Sequence, residues 1–290
     1  MAVGLMAAGT PMLIDPRLVS EGLGAFDELE MLGNGTFGTT FKAVRGDDVY
    51  AIKVIHFPDM PEYLWRREVT SLRTVEHPNV VAFRDAGRFE VDGKEYPYLE
   101  CEFIDGGSVR KNLETGRRPG SAAELRGLLT GLLSGVSEIH DLGIFHRDIK
   151  PENVGLRGGD WGSPVLLDFG LAKVLDMSSH THFGQLIGTK AYMAPEQLRG
   201  EPARKRSDLF AVALVVYEAG TGQHPFLTPE TATVQTLHDR MQADPPQNPR
   251  ELVDDWPDDV AEVVLRLLLP EAHQRLGVSR ALADLSLGSA

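Results

Sequence analysis

The chain has 290 residues, 42% hydrophobic and 24% charged, enough to bury a core in one large domain or two modest lobes. A formal net charge of -13 argues against generic nucleic-acid binding, which needs a basic face to neutralise phosphates. The single cysteine, Cys101, excludes an internal disulfide framework and any multi-cysteine zinc site, and suits a reducing cytosol.

The opening "MAVGLMAAGTPMLIDP" has no basic n-region and is broken by Gly9, Pro11 and Asp15, so no secretory signal is expected. Residues 1–25 are read as an N-terminal extension. "FDELEMLGNGTFGTTFKAV" and "VYAIKVIHF" are β-branched and aromatic runs divided by glycines and by "RGDD", which predicts strands. "MPEYLWRREVTSLRTV" places Leu64, Val69, Leu72 and Val75 near one helical face, and "HPNV" ends it. Strands are expected again at "VVAFRDAGRFEV" and "YPYLECEFI", and "DGGS" from Asp105 is a flexible break. The lobe boundary falls just before it, giving lobes 26–104 and 105–290.

Beyond that break the pattern turns helical. Ser121 and Glu124 form a capping-box signature ahead of Leu125, Leu128, Leu129, Leu132, Leu133, Val136 and Ile139 at three- and four-residue spacing. The helix delivers the chain into "GIFHRDIKPENVGL", a loop flanked by short strands, and then "PVLLDFG", an apolar strand ending on a carboxylate. Further helices are predicted over Ser207–Gly220, Glu230–Gln242 and Asp258–Leu269. The longest apolar run, Leu209–Gly220, is too short to span a bilayer and reads as a buried helix. The end soon after "RLGVSRALADL" suggests a catalytic domain with little else.

Three places carry chemistry. "GNGTFG", Gly33–Gly38, is either an ordinary glycine-rich hairpin or a loop whose amides lie over phosphates; a dinucleotide fold would need a helix there, and "TTFKAV" continues as strand. Lys53 in "YAIKVI" is a solvent-facing strand lysine or, paired with Glu68, a cation held toward an anionic ligand. In "HRDIKPENV", Asp148 could accept a hydroxyl proton, Lys150 could neutralise charge near a transferred phosphate, and Asn153 with Asp168 of "LLDFG" could hold a hard divalent cation. A merely polar turn strains to explain that combination.

"GNGTFG", "YAIK", "HRDIKPEN", "DFG" and "APE", in this order and spacing over Phe26–Leu285, resemble eukaryotic-type serine/threonine protein kinases. The resemblance implies an α+β, two-lobed fold: a small antiparallel sheet lobe with one main helix, and a larger, mainly helical lobe. It implies ATP and Mg2+ as cofactors, with Leu32, Gly33, Asn34, Gly35, Thr36, Phe37, Gly38, Thr40, Ala51, Lys53, Glu102 and Ile104 at the nucleotide. By the same resemblance Glu68 anchors Lys53, Asp148 is the base, Lys150 supports the γ-phosphoryl, and Asn153 and Asp168 hold magnesium. The implied partners are proteins offering Ser or Thr, with self-association for autophosphorylation, in the cytoplasm, and neither nucleic acid nor membrane.

Other residues gain expectations in this way. Thr189 would position Asp148, Asp208 would brace the catalytic loop, and Glu196 with Arg275 would form a structural ion pair. Cys101 falls at the gatekeeper position, where a buried structural thiol is the plain reading. Three departures stand out: Thr40 for the usual valine, Lys190 for a common proline, and Ala213 for a small glycine. Ser178, Ser179 and Thr181 are candidate phosphorylation sites that would recruit Arg147 and Lys173.

Overall fold

Alternation of apolar and polar residues along 38–55 gives two strands whose inward side chains share one face. These belong to a five-stranded antiparallel sheet of order β1-β2-β3-β5-β4, with β1 Glu28–Asn34, β2 Gly38–Arg45, β3 Asp48–Ile55, β4 Phe83–Val91 and β5 Lys94–Glu102. The structure, a computed structural model, describes residues 14–287 except 36–37, 59, 169–189, 229–230 and 232; the side chains of residues 67, 68 and 287 are also outside it. β4 and β5 turn through Asp92 and Gly93, both at positive φ (51° and 73°), the left-handed pair that matches a hairpin's twist.

Two compact units emerge. The first takes the chain up to Arg73 and returns for Ala82–Phe103; the second holds Thr74–Val81 and everything from Ile104. In the first unit, Phe41, Ala43, Tyr50, Ile52, Val54, Phe89 and Tyr96 form a buried cluster on one sheet face. A helix that the sequence reading did not anticipate, α1 (Pro16–Leu23), covers this face and adds Val19, with Ile14 just ahead of it. Asp15 caps α1 by accepting from Arg17 N at 2.9 Å, with proline at the first helical position, a start signal left unread in the extension. The period of two sends Ala51 and Lys53 to the opposite face. Helix α2 (Glu62–Arg73) is shorter than the sequence pattern suggests, and Val75 lies beyond it, buried in the second unit.

The second unit is mainly helical. Thr74–Val81 is stitched into it by Asn79 Nδ2 donating to Pro164 O (2.8 Å) and Val81 N donating to Leu166 O (3.0 Å). After the short α3 (Val109–Glu114), α4 (Ala122–Asp141) buries its leucine stripe. Ser121 accepts from Glu124 N at 3.2 Å, but Glu124 reaches back to Gly120 N (2.6 Å) rather than to the cap residue expected of it. The strands β6 (Val154–Leu156) and β7 (Pro164–Leu166) pair antiparallel, bringing Val154 of "HRDIKPENV" beside Leu166 of "PVLLDFG".

From residue 190 onward the described helices are α5 (Pro195–Leu198), α6 (Lys205–Thr221), α7 (Val234–Ala243), α8 (Asp258–Leu267) and α9 (Val278–Leu287). Helix α6 starts two residues earlier than expected and is buried on nearly every side, as its unbroken apolar run requires. α4, α8 and the 3-10 turn Ala272–Gln274 pack around it. The α+β class and the division between an antiparallel sheet and a helical body agree with the sequence reading.

Candidate active site

In the first unit, β1 and β2 pair through Gly33↔Thr40 and Asn34↔Thr39, after a bulge between Met31 and Gly33. Gly35 N donates to Gly38 O (2.9 Å), closing the hairpin across Thr36 and Phe37, which lie outside the described residues. Thr39 Oγ1 donates to Asn34 Oδ1 (2.7 Å), and His56 Nε2 lies 2.8 Å from the same hydroxyl. Burial, followed by the charge of Lys53, lowers the pKa of His56, so this buttress is neutral. The glycines differ in kind. A Cβ on Gly38 would come within 2.4 Å of Val54 O, so close strand approach demands glycine there. At Gly33 a Cβ meets nothing within 4 Å, and at Gly35 only Gly38 O at 3.8 Å, so packing requires neither.

Lys53 pairs with Thr40 on one side and Leu99 on the other; Ala51 pairs with Lys42 and Cys101. Thr40, Ala51 and Lys53 thus stand together at mid-sheet. Leu32 is exposed on β1 and Glu102 ends β5, its backbone N donating to Ala82 O (2.9 Å). Cys101 is half-buried within β5, less enclosed than the buried thiol expected of it. The side chain of Glu68 lies outside the described residues, and with it the expected pair to Lys53.

In the second unit, a buried carboxylate organises the "HRDIKPENV" loop. Asp208, on the first turn of α6, accepts from the successive amides His146 N (2.9 Å, Oδ2) and Arg147 N (2.8 Å, Oδ1). His140 Nε2 sits 2.8 Å from Oδ2. Turning both amides toward one carboxylate puts Arg147 at φ 69°, a left-handed conformation that costs a non-glycine residue free energy and needs such a brace. His146 is buried, with Nε2 2.9 Å from Leu167 O, tying the loop to the strand that leads into Asp168.

The brace leaves Asp148 half-exposed and firmly held: its Oδ2 accepts from Lys150 Nζ (2.7 Å) and Asn153 Nδ2 (2.9 Å), and Asn153 Nδ2 also reaches Asp148 O (2.8 Å). Leu167 N donates to Asn153 O (2.9 Å), so Asn153 and Asp168 stand on backbones that are hydrogen-bonded neighbours. Asp168 is also left-handed, at φ 58°. Asn153 and Asp168 offer an amide and a carboxylate oxygen, a hard donor set that suits Mg2+, an ion that takes few protein ligands and completes its shell with phosphate and water. No convergence of three or more His, Cys, Asp or Glu occurs among the described residues, so nothing there competes as a metal cage.

A buried ion pair lies against the start of α6. Arg275 donates in a fork to Glu196, Nη1 to Oε1 (2.8 Å) and Nη2 to Oε2 (2.9 Å), and its guanidinium also lies 4.6 Å from the Phe210 ring centroid. Burial alone would raise the pKa of Glu196; the Arg275 bonds outweigh it and hold the group below the usual carboxylate range. Ala213 is fully buried in α6, and Lys190 is buried. Thr189, Lys173, Ser178, Ser179 and Thr181 lie outside the described residues.

Sequence reasoning missed the cluster of Arg110, Glu152, Tyr192, Glu218 and His224. Arg110 donates from Nε to Glu152 Oε1 (2.9 Å), from Nη1 to Glu218 Oε1 (2.9 Å) and from Nη2 to Tyr192 Oη. Tyr192 Oη in turn donates to Glu218 Oε2. The available signal was a glutamate, Glu218, inside the apolar run "LFAVALVVYEAG".

The protein kinase domain family matches residues 26–285, which include every element from β1 and nearly all of α9. The chain belongs to the protein kinase domain family. It is 34% identical over 268 residues to the DNA damage-responsive serine/threonine-protein kinase RqkA of Deinococcus radiodurans, covering 90% of this chain and 39% of that protein. It is 29% identical over 264 residues to the serine/threonine-protein kinase PrkC of Bacillus subtilis, covering 89% and 38%. Among solved structures, Rad53 1-466 in complex with AMP-PNP superposes with a TM-score of 0.70 at 26% identity, covering 89% of this chain and 64% of that one. The chain therefore spans about two fifths of the length of these curated relatives. Helix α1 precedes the matched kinase region yet is built into the core of its first unit.

Proposed function

We propose that the chain is an ATP-dependent protein serine/threonine kinase that moves the γ-phosphoryl group of ATP to hydroxyls of protein substrates. The observation that carries this reading is the braced loop: Asp208 fixes the His146 and Arg147 amides, and Lys150 and Asn153 fix Asp148 from the other side. With Oδ2 of Asp148 engaged twice, Oδ1 is the oxygen that receives the acceptor's proton. Such transfer asks for alignment and charge neutralisation more than for covalent chemistry, and a held carboxylate beside a lysine supplies both.

Residues 26–104 form the nucleotide-binding lobe in this reading and 105–290 the catalytic and substrate-binding lobe. Gly33 and Gly35, which packing does not require to be glycine, let the backbone of the hairpin lie close over the phosphates, with Asn34, Thr36, Phe37 and Gly38 completing the loop. Leu32, Thr40 and Ala51 flank the adenine, and the Glu102 and Ile104 backbones meet its edge. Lys53, anchored by Glu68, binds the α and β phosphates. Asn153 and Asp168 hold the magnesium ion, which supplies charge neutralisation on the triphosphate when bound. Among the described residues no helix is long and apolar enough to cross a membrane. Cytoplasmic location and self-association for autophosphorylation complete the proposal.

The test is incubation with labelled ATP, magnesium and a proteome extract, then phosphosite mapping, with Asp148→Asn alongside. Phosphoserine and phosphothreonine should appear with the wild-type chain. The variant should keep ATP binding and lose transfer by about a hundredfold or more, the scale for removal of a general base. Undiminished turnover in the variant would remove Asp148 from its role.

A further inference from the structure

The strongest charged cluster outside the groups assigned above is centred on Arg110. Its guanidinium meets two carboxylates and a phenol from three other segments: Glu152 in the turn Pro151–Asn153, Tyr192 just before α5, and Glu218 on α6. Glu152 is four residues past Asp148 on the same loop. A protein segment whose hydroxyl reaches Asp148 therefore passes within a few residues of this cluster.

Exposure is graded across it. The side chain of Glu218 is 11% accessible, Arg110 26% and Glu152 47%. Glu218 is thus the floor of a notch, Arg110 fills it, and Glu152 forms the open lip. A carboxylate as enclosed as Glu218 is costly without a cation, and one guanidinium here serves two carboxylates. Burial opposes the charge on Arg110, but Tyr192, Glu218 and Glu152 outweigh it and hold its pKa above the ordinary arginine range. The phenol of Tyr192 is likewise raised, by burial and then by Glu218, so it stays a neutral donor to Glu218. Nearby, His224 is neutral and engaged with Ala191 O at 3.0 Å, so it adds no competing charge.

We propose that Arg110 is a specificity-determining residue: by filling an anionic notch beside the acceptor loop with the chain's own guanidinium, it removes a preference for basic peptides that Glu152 and Glu218 would otherwise impose. This rests on the kinase reading above. In the wild-type chain the notch is satisfied internally, so an arginine near the acceptor gains nothing from it. Shortening Arg110 leaves two carboxylates and a phenol lining a space the size of a guanidinium and open to solvent on the Glu152 side. An arginine of the substrate then restores the missing charge-assisted bonds and is selected for doing so.

The experiment compares acceptor peptides in which each position flanking the Ser or Thr is arginine or glutamine in turn, for the wild-type chain, Arg110→Ala and Arg110→Ala/Glu218→Gln. The wild-type ratio of kcat/KM, arginine over glutamine, should stay near unity at positions that reach the notch. In Arg110→Ala it should rise about tenfold at one or more positions, the order expected of a charge-assisted pair, and fall back in the double variant. A second readout needs no activity: methylguanidinium at millimolar concentration should raise the melting temperature of Arg110→Ala and leave that of the wild-type chain unchanged. Should Arg110→Ala not fold, Arg110→Lys, which keeps a cation but loses the fork, is expected to show the same gain at about threefold. A wild-type enzyme that already selects arginine through Glu152, lost in Glu152→Gln, would overturn the proposal. So would an Arg110 variant with neither altered selection nor a methylguanidinium response. If no peptide is phosphorylated by any form, the kinase reading has failed, and the melting experiment still decides whether the notch takes a guanidinium.

Discussion

Lowering the pH from 7.5 to 5.5 should destabilise the second unit through one residue, His224. Its ring is fixed in one neutral tautomer: Nε2 donates to Ala191 O (3.0 Å), while Nδ1 accepts from Phe226 N (3.2 Å) and Leu227 N (3.1 Å). Protonation at Nδ1 would break both of the latter bonds and bury a charge. Burial chiefly, and the charge of Arg110, push the pKa from 6.5 down to about 4, against the opposing effect of the Ala191 carbonyl. Between those values the unfolded chain binds a proton that the folded chain does not, so stability falls as pH falls, starting near 6.5 and levelling near 4. One pH unit below the unfolded pKa the loss is about 1.4 kcal/mol, on the order of 4 °C in melting temperature for a unit of this size. That pH stays above the isoelectric point of about 5.1, where solubility is poorest. The assay is melting of the wild-type chain and of His224→Gln at both pH values, because every other titration cancels in the comparison. The variant should be less stable at pH 7.5 and the gap should close by about 1.4 kcal/mol at pH 5.5. Parallel pH dependences would refute the half-buried, neutral histidine.

Two further outcomes follow from packing and bracing. Asp208→Ala removes the acceptor of the His146 and Arg147 amides and of His140; with two buried amide donors orphaned, urea unfolding should show a loss of about 2–6 kcal/mol, and transfer should fall as Asp148 loses its register. Val19→Ala opens the core beneath α1 and should cost the first unit about 2 kcal/mol by the same measurement; an unchanged midpoint would show that α1 is dispensable to that core.

Much of this fold was legible because its strongest signals are local. The period-two runs at 38–55 and the leucine stripe of α4 each specify an element whatever packs on them, and both elements form. Reading failed where the decisive contact is distant or the signal short. Asp15 and Pro16 start α1, but eight residues with Val19 alone fully buried give too little periodicity to announce a helix, and its reason to fold is a sheet face formed by residues 41 to 96. Val75 continues the spacing of α2 yet belongs to the other unit, because the backbone of 79–81 is bonded to β7 and pulls the chain away from helix.

The site divides along the same line. Asp148, Lys150 and Asn153 lie within six residues of one another, so one turn can bring them together and their spacing carries the message. Arg110 and Glu218 are 108 positions apart, and neither has neighbours in sequence that hint at the other. What a sequence does disclose about such pairs is their cost: a glutamate set in the last turn of α6 must have a cation, because that helix is buried on nearly every side. The search for that cation leads to Arg110, and from there to Glu152 and the loop that carries Asp148. A charge that looks misplaced in an apolar run is therefore a pointer to a long-range partner, and in this chain it points to the residue proposed to set which protein segments the catalytic loop accepts.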